Sequence, residues 1–248
     1  VVSEDTAGAS GSRQLWRFKL MGVRYTSSKT PMCIGSPVED RVKSSWHPQL
    51  VEATRKAGGN AGASGERVLI IYTSDLTSPA CKGLVKGYKA LFGWSNTPME
   101  LQAWKQRNQG YKDGVVLDYR YLYHSDSVAY EAGAKSRRGA TTGAQLVHEV
   151  GHFLGLLHTF VGGCSSNPSI TDGVDDTPAE AHPRSWGIDL GDASAGCRER
   201  DTCPDVSGPD DTHNWMSYNN LSCASQFTPG QQARMLFLWT TMRAGSTQ

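Results

Sequence analysis

This 248-residue chain has no long apolar run, no excess of either charge, no internal repeat and no low-complexity tract. With 25 basic against 24 acidic side chains the formal net charge is +1, and both signs are scattered. Nothing therefore resembles the electrostatic footprint of a nucleic-acid or anionic-membrane binder. The longest apolar run, Val68-Leu69-Ile70-Ile71-Tyr72, is far too short to span a bilayer and reads as a buried strand, so no membrane insertion is expected. Six cysteines are present but no CxxC pair, which argues against a structural zinc ribbon. The opening residues Val1-Val2-Ser3-Glu4-Asp5 lack the charged-then-apolar pattern of a leader, and the expectation is a mature chain whose targeting or pro-segment is gone.

The cysteines are Cys33, Cys81, Cys164, Cys197, Cys203 and Cys223, and four of them crowd into a Gly/Asp/Pro-rich region where regular structure is sparse. An even count fits three disulfides, the alternative being reduced thiols of a cytosolic enzyme. The crowding where staples help most favours disulfides, an oxidising compartment and a secreted, extracellular protein.

The densest chemistry lies in one run, His148-Glu149-Val150-Gly151-His152-Phe153-Leu154-Gly155-Leu156-Leu157-His158. Residues four apart on an α-helix sit about 40° apart around the axis, so His148 and His152 face the same way. Glu149 lies about 100° round from His148, where it can reach a metal-bound water without being a ligand. Were the helix to continue, His158 would stand roughly 15 Å along the axis from His148. The chain must turn back, and Gly155 can adopt the positive φ that ends a helix. An HExxH alone also occurs by chance in amphipathic helices. Here Leu146, Val147, Val150, Phe153, Leu154, Leu156 and Leu157 make the helix largely apolar, so it would bury two imidazoles and a carboxylate at a large desolvation cost unless they held an ion. Three imidazoles around one zinc leave an open coordination position, the arrangement of a water-activating hydrolase.

Elsewhere the patterns are coarser. Leu15 to Val23 alternates, with Trp16, Phe18 and Leu20 on one face, and predicts a half-buried strand. His47 to Ala57 predicts a short helix. Arg67–Thr73, Leu84–Phe92 and Val115–Tyr121 predict strands. Beyond His158 a long irregular stretch runs to about residue 212. A final helix is expected with Thr228 as N-cap and Pro229 at its first position, running to about Met242. The fold class expected is α+β, a single domain over 1–248. Its strand-rich N-terminal subdomain, 1–155, carries the zinc helix, and its loop-rich C-terminal subdomain spans 156–248.

A second segment, Asn214-Trp215-Met216-Ser217-Tyr218, follows the histidines by about sixty residues. With the extended motif it resembles the metzincin metallopeptidases, in which a methionine-containing turn lies beneath three zinc-bound histidines. Within that clan the chain is similar to the pappalysin family, in particular its secreted microbial endopeptidases. The resemblance covers roughly residues 113–243: Asp113-Gly114-Val115-Val116, His148 through Phe160, Gly162-Gly163-Cys164, Asp172 to Pro178, Gly196-Cys197, Thr202-Cys203-Pro204, Asn214 to Tyr218, and Phe227 to Gln231 with Arg234-Met235. It implies a metzincin-like fold: a twisted mixed sheet with backing helices, then an irregular half with the methionine turn and a terminal helix.

The resemblance implies roles residue by residue. His148, His152 and His158 would bind one zinc ion. Glu149 would be the general base, Met216 the apolar floor, and Tyr218 an oxyanion-stabilising hydroxyl. Asp172, the Val174 carbonyl and Thr177 would bind a structural calcium ion, with Asp175 and Asp176 in supporting roles. It also implies disulfides Cys164–Cys203 and Cys197–Cys223, which leaves Cys33 with Cys81. A rival use of Cys33 is as a thiol capping the zinc in a latent form. Relatives that cleave beside arginine or lysine carry an acidic residue where this chain has Leu221, so the expected preference just after the scissile bond is not basic. Ser217 stands where relatives often carry aspartate, and Asn220-Leu221-Ser222 is a formal glycosylation sequon. The expected protein is a monomeric secreted zinc endopeptidase acting on proteins or peptides. The alternatives are a zinc amidase or deacetylase, which casein cleavage would discriminate, and an inactive binding module on the same fold.

Overall fold

The computed structural model describes residues 16, 18, 69–74, 93–106, 114–118, 143–167, 169–182, 197–206, 208–219 and 223–243. The expected helix at 47–57, the strand at 84–92, the Cys33–Cys81 pair, Leu221 and Asn220 lie outside them. Three strands form one mixed sheet in the order β1-β3-β2. Strand β1 (Ile71–Ser74) runs parallel to β3 (Val115–Asp118), and β2 (Gly93–Ser95) runs antiparallel to it. β3 is the middle strand of the three, and Val115, Val116 and Leu117 are fully buried, as a run apolar on both faces requires. Of the expected strand 67–73, Leu69 and Ile70 precede the ladder, although Val115 N still donates to Ile70 O at 2.9 Å.

Helix α1 (Pro98–Gln106) was not legible as a hydrophobic stripe, but its start is written in Thr97-Pro98-Met99-Glu100. Thr97 N donates to Glu100 Oε2 at 2.8 Å and Glu100 N to Thr97 Oγ1 at 3.3 Å, a reciprocal cap with proline at the first helical position. The final helix α3 (Pro229–Leu238) begins the same way, with Thr228 and Gln231 capping each other. It is shorter than expected from sequence, because Trp239–Arg243 continue as a wider π-helical turn. That turn carries Arg243 back into the protein. Its guanidinium lies 3.8 Å from the ring centre of Phe153, Nε donates to Phe153 O at 3.0 Å and Nη2 to Asn96 O at 3.3 Å. A cation at the carboxyl end of a helix is favoured by the aligned peptide dipoles, and stacking on an aromatic face adds to it.

The helix receiving this clamp is α2 (Ala144–Phe153), which bears the histidine motif and packs on β2 and β3. The core lies along it: Val115, Phe153, Leu154, Leu156, Met216 and Met235 are buried together, with Trp16, Leu69, Leu146, Val150, Phe227 and Trp239 against them. Trp16 meets Trp239 edge-on at 5.6 Å. Phe18 does not share that burial. It is 51% exposed, so the apolar face expected for 15–23 is half-buried at Trp16 and open at Phe18.

Between Phe153 and Pro229 the described residues form no helix or strand, only turns and one isolated bridge between Asn214 and Gln226. Disulfides join Cys164 to Cys203 and Cys197 to Cys223. Such cross-links do for this region what backbone ladders do elsewhere.

Candidate metal and catalytic site

Helix α2 stops where the histidine spacing requires. Gly155 N donates to His152 O and Leu156 N to Gly151 O, both at 2.9 Å, and Gly155 sits at φ +107°. These two bonds are the glycine-terminated C-cap, in which a residue tolerant of positive φ reverses the chain and satisfies the last carbonyls. A Cβ at Gly155 would also lie 2.3 Å from Leu238 Cδ1, so the turn is held against α3. The reversal brings His158 back beneath the helix.

The three imidazoles then converge. His158 Nε2 lies 3.3 Å from His148 Nε2 and 3.1 Å from His152 Nε2, and all three ligand atoms fall within 4.8 Å of one another. Two of the other nitrogens are engaged: His148 Nδ1 lies 2.6 Å from Trp215 O and His152 Nδ1 2.8 Å from Leu156 O. A carbonyl only accepts, so each Nδ1 carries the proton and each Nε2 presents a lone pair to the shared point. Such outer hydrogen bonds fix tautomer and ring orientation in metal-binding histidines. Nitrogens about 2.05 Å from a tetrahedral zinc ion stand about 3.3 Å apart. The observed spacings match that closely, and lone pairs facing each other so closely need a cation between them. The donor set fits zinc.

Burial keeps the rings neutral. Desolvation, then the neighbouring His152, push His148 down to about 3. His152 and His158 are also lowered, mainly by burial. Glu149, 3% exposed, is pushed up to about 8 by desolvation, against the opposing hydrogen bond from Gln145. A neutral buried imidazole leaves the unfolded chain with more protons from about pH 6.5 down to about 3, so stability falls as pH drops through that range. The raised Glu149 acts oppositely, and its contribution is lost as pH rises from 4.5 towards 8. Three imidazoles outweigh one carboxyl group until the unfolded histidines lose their protons, so the metal-free protein is expected to melt highest at about pH 6.5 to 7 and lower on either side. Melting temperatures of the chelated protein across pH check this, and a steady rise up to pH 8 would refute it.

Met216 is fully buried under α2, and the lack of a side chain at Gly151 makes its seat. A Cβ there would lie 2.4 Å from Met216 Sδ. Thr159 N donates to Met216 O at 3.3 Å, tying the turn to the chain leaving His158. Tyr218 stands 4.6 Å ring to ring from His158, within an aromatic group that adds Phe160 and His182.

Behind these residues lies a polar network that the sequence reading missed. Glu180, 1% exposed, accepts from Thr159 Oγ1 at 2.6 Å, Ser217 Oγ at 2.7 Å and Arg200 Nη2 at 3.0 Å. Arg200 also reaches Asp210 at 3.0 Å and Asn219, and Asp210 accepts from Thr202 N and Oγ1. Burial raises Glu180 above its ordinary value, and its donors oppose that rise. The network also accounts for Ser217, since an aspartate there would set a second carboxylate against Glu180.

The acidic loop brings together the three groups singled out from sequence. Thr177 Oγ1 lies 2.8 Å from Asp172 Oδ2 and 2.8 Å from Val174 O, and Asp172 is buried. Asp175 is exposed. Asp176 turns to α3, accepting from Thr228 Oγ1 at 2.6 Å and Gly230 N at 2.7 Å. A carboxylate at a helix amino terminus is favoured by its unpaired amides and dipole.

Imidazole lone pairs around one point, with a buried carboxyl group on the same helix, define a metal site of the hydrolase type. Residues 120–238 match the family model Peptidase_M43, described as pregnancy-associated plasma protein-A, and this stretch is similar to the pappalysin peptidases. An extracellular metalloprotease of Verticillium alfalfae is 46% identical over 110 residues, covering 44% of this chain and 34% of that protein. One of Pyricularia oryzae is 47% identical over 104 residues, covering 42% and 32%. The matches thus span about a third of those relatives' length. Among solved structures, Tannerella forsythia mature mirolysin in complex with a cleaved peptide is 26% identical, with a TM-score of 0.49, covering 72% of this chain and 54% of that one.

Proposed function

We propose that this chain is a secreted zinc endopeptidase. The observation that carries the reading is the convergence of His148, His152 and His158 Nε2, two of them oriented by carbonyl partners, with Glu149 adjacent on the same helix. A bound zinc ion supplies Lewis acidity and lets water act as nucleophile at neutral pH. Glu149 takes the proton of the attacking water and passes it to the departing amine. The Tyr218 hydroxyl stabilises the oxyanion, and Met216 closes the floor without taking part in proton transfer. Residues 1–155 make the N-terminal subdomain with the zinc helix, and 156–248 the C-terminal subdomain with the calcium loop, the Met216 turn and the final helix. The protein works as a monomer on proteins or peptides. No described helix is long and apolar enough to cross a membrane.

The purified chain is expected to carry zinc and to cleave casein. Chelation should abolish cleavage and zinc should restore it. A protein that cleaves equally well after complete metal removal would refute the reading; action on small amides but not on casein would favour an amidase. Relatives that cleave beside basic residues carry an acid where this chain has Leu221, so mapping on a peptide library is expected to show apolar or mixed residues just after the scissile bond. A dominant basic preference would overturn that assignment.

Asp172, Val174 and Thr177 hold calcium in the same reading. Support comes from the meeting of a buried carboxylate, a carbonyl and a hydroxyl, all hard oxygen donors. Calcium is expected to raise the melting temperature over that in a calcium chelator with zinc held constant. An unchanged midpoint would remove the ion from the assignment.

A further inference from the structure

The Glu149 carboxyl group is gripped from two sides. Gln145 lies one turn earlier on α2, and its Nε2 donates to Glu149 Oε1 at 2.7 Å, both side chains being buried. On another side stands Gly93 of β2. A Cβ there would lie 2.9 Å from Glu149 Oε1 and 3.0 Å from its Cγ, closer than real side chains pack. The same Cβ would meet Val116 O at 2.9 Å, so β2 has no slack towards β3 with which to make room.

We propose that Gln145 is a positioning residue for Glu149, and that Gly93 lacks a side chain for the same purpose; this rests on the zinc-peptidase reading above. The last torsion of a glutamate is broad and two-fold, so an untethered carboxylate presents either oxygen over a range of angles. Anchoring Oε1 to the amide of Gln145 removes that freedom and leaves Oε2 as the oxygen that exchanges the proton. The bare backbone of Gly93 lets the anchored group sit flush against the sheet. Gln145 touches neither substrate nor metal in this account. It acts through the orientation of Glu149, where small displacements cost rate without costing binding.

The test uses Gln145→Met, which keeps length and apolar volume but removes the donor, with Gly93→Ala as an independent second variant. For each, kcat and KM on one fluorogenic peptide, zinc content and the melting temperature of the chelated protein are measured. Each variant is expected to lose about tenfold or more in kcat with zinc content unchanged and KM within about twofold. The double variant should lose little beyond the worse single one, because both act on one carboxylate. A fall in kcat of less than about threefold, or one matched by an equal loss of zinc or of folded protein, overturns the proposal. Wild type that neither binds zinc nor cleaves peptide sinks the peptidase reading instead. Active wild type with an equally active Gln145→Met sinks this inference alone.

Discussion

Glu149→Gln is expected to keep its zinc and lose about 10²- to 10⁴-fold in kcat. The amide has the shape of the carboxylate but no basic oxygen to accept the proton of water. None of the three imidazoles is altered, so metal content should not move. A second consequence follows from burial. The native carboxyl group is pushed up to about 8, so without metal it must either hold a proton or carry a desolvated charge. A neutral amide avoids the choice, and the metal-free variant should keep its stability where wild type weakens above about pH 7. Steady-state kinetics, zinc analysis and melting curves on one preparation decide the matter. Undiminished kcat would remove Glu149 from the chemistry altogether.

Glu180→Ala should destabilise the fold by roughly 3 kcal/mol and weaken zinc binding as well. The variant strips an acceptor from Thr159 and from Ser217 and removes one of the two carboxylates, Glu180 and Asp210, that Arg200 pairs with among the described residues. Thr159 is the residue after the third ligand and Ser217 the residue after Met216. Loosening both loosens side-chain links between the returning histidine and the floor beneath it, beyond the ring contact of His158 with Tyr218. Glu180→Gln, which keeps the shape and one acceptor, should cost distinctly less. Denaturant unfolding and a competitive zinc titration measure both effects, and a change below about 1 kcal/mol would show the network to be surface decoration.

The meeting of the three histidines was readable because its determinants are local. Helical spacing pairs His148 with His152, and one glycine says where the helix must end. The caps of α3 were equally explicit in Thr228-Pro229. The same signature in Thr97 to Glu100 went unread because α1 has too weak an apolar stripe to draw attention to it. β2 is three residues long, and a strand that short leaves no period to detect. Glu180, Arg200 and Asp210 were invisible for another reason. They lie 20, 10 and more residues apart in irregular chain, and only the folded loop makes them neighbours. Asp176 reads in sequence as one more acid of a cation loop. Its actual partner is a helix start some fifty residues away, which no local pattern could reveal.

Arg234 deserves to be seen as a strut. Its Nε donates to Gly155 O at 3.0 Å and its Nη1 to Gly173 O at 3.3 Å, so one side chain braces the reversal after α2 against the acidic loop. Asp176 bolts that loop to the opening of the helix from which Arg234 projects. The three pieces form a closed truss, and slack introduced at any joint is shared by the other two.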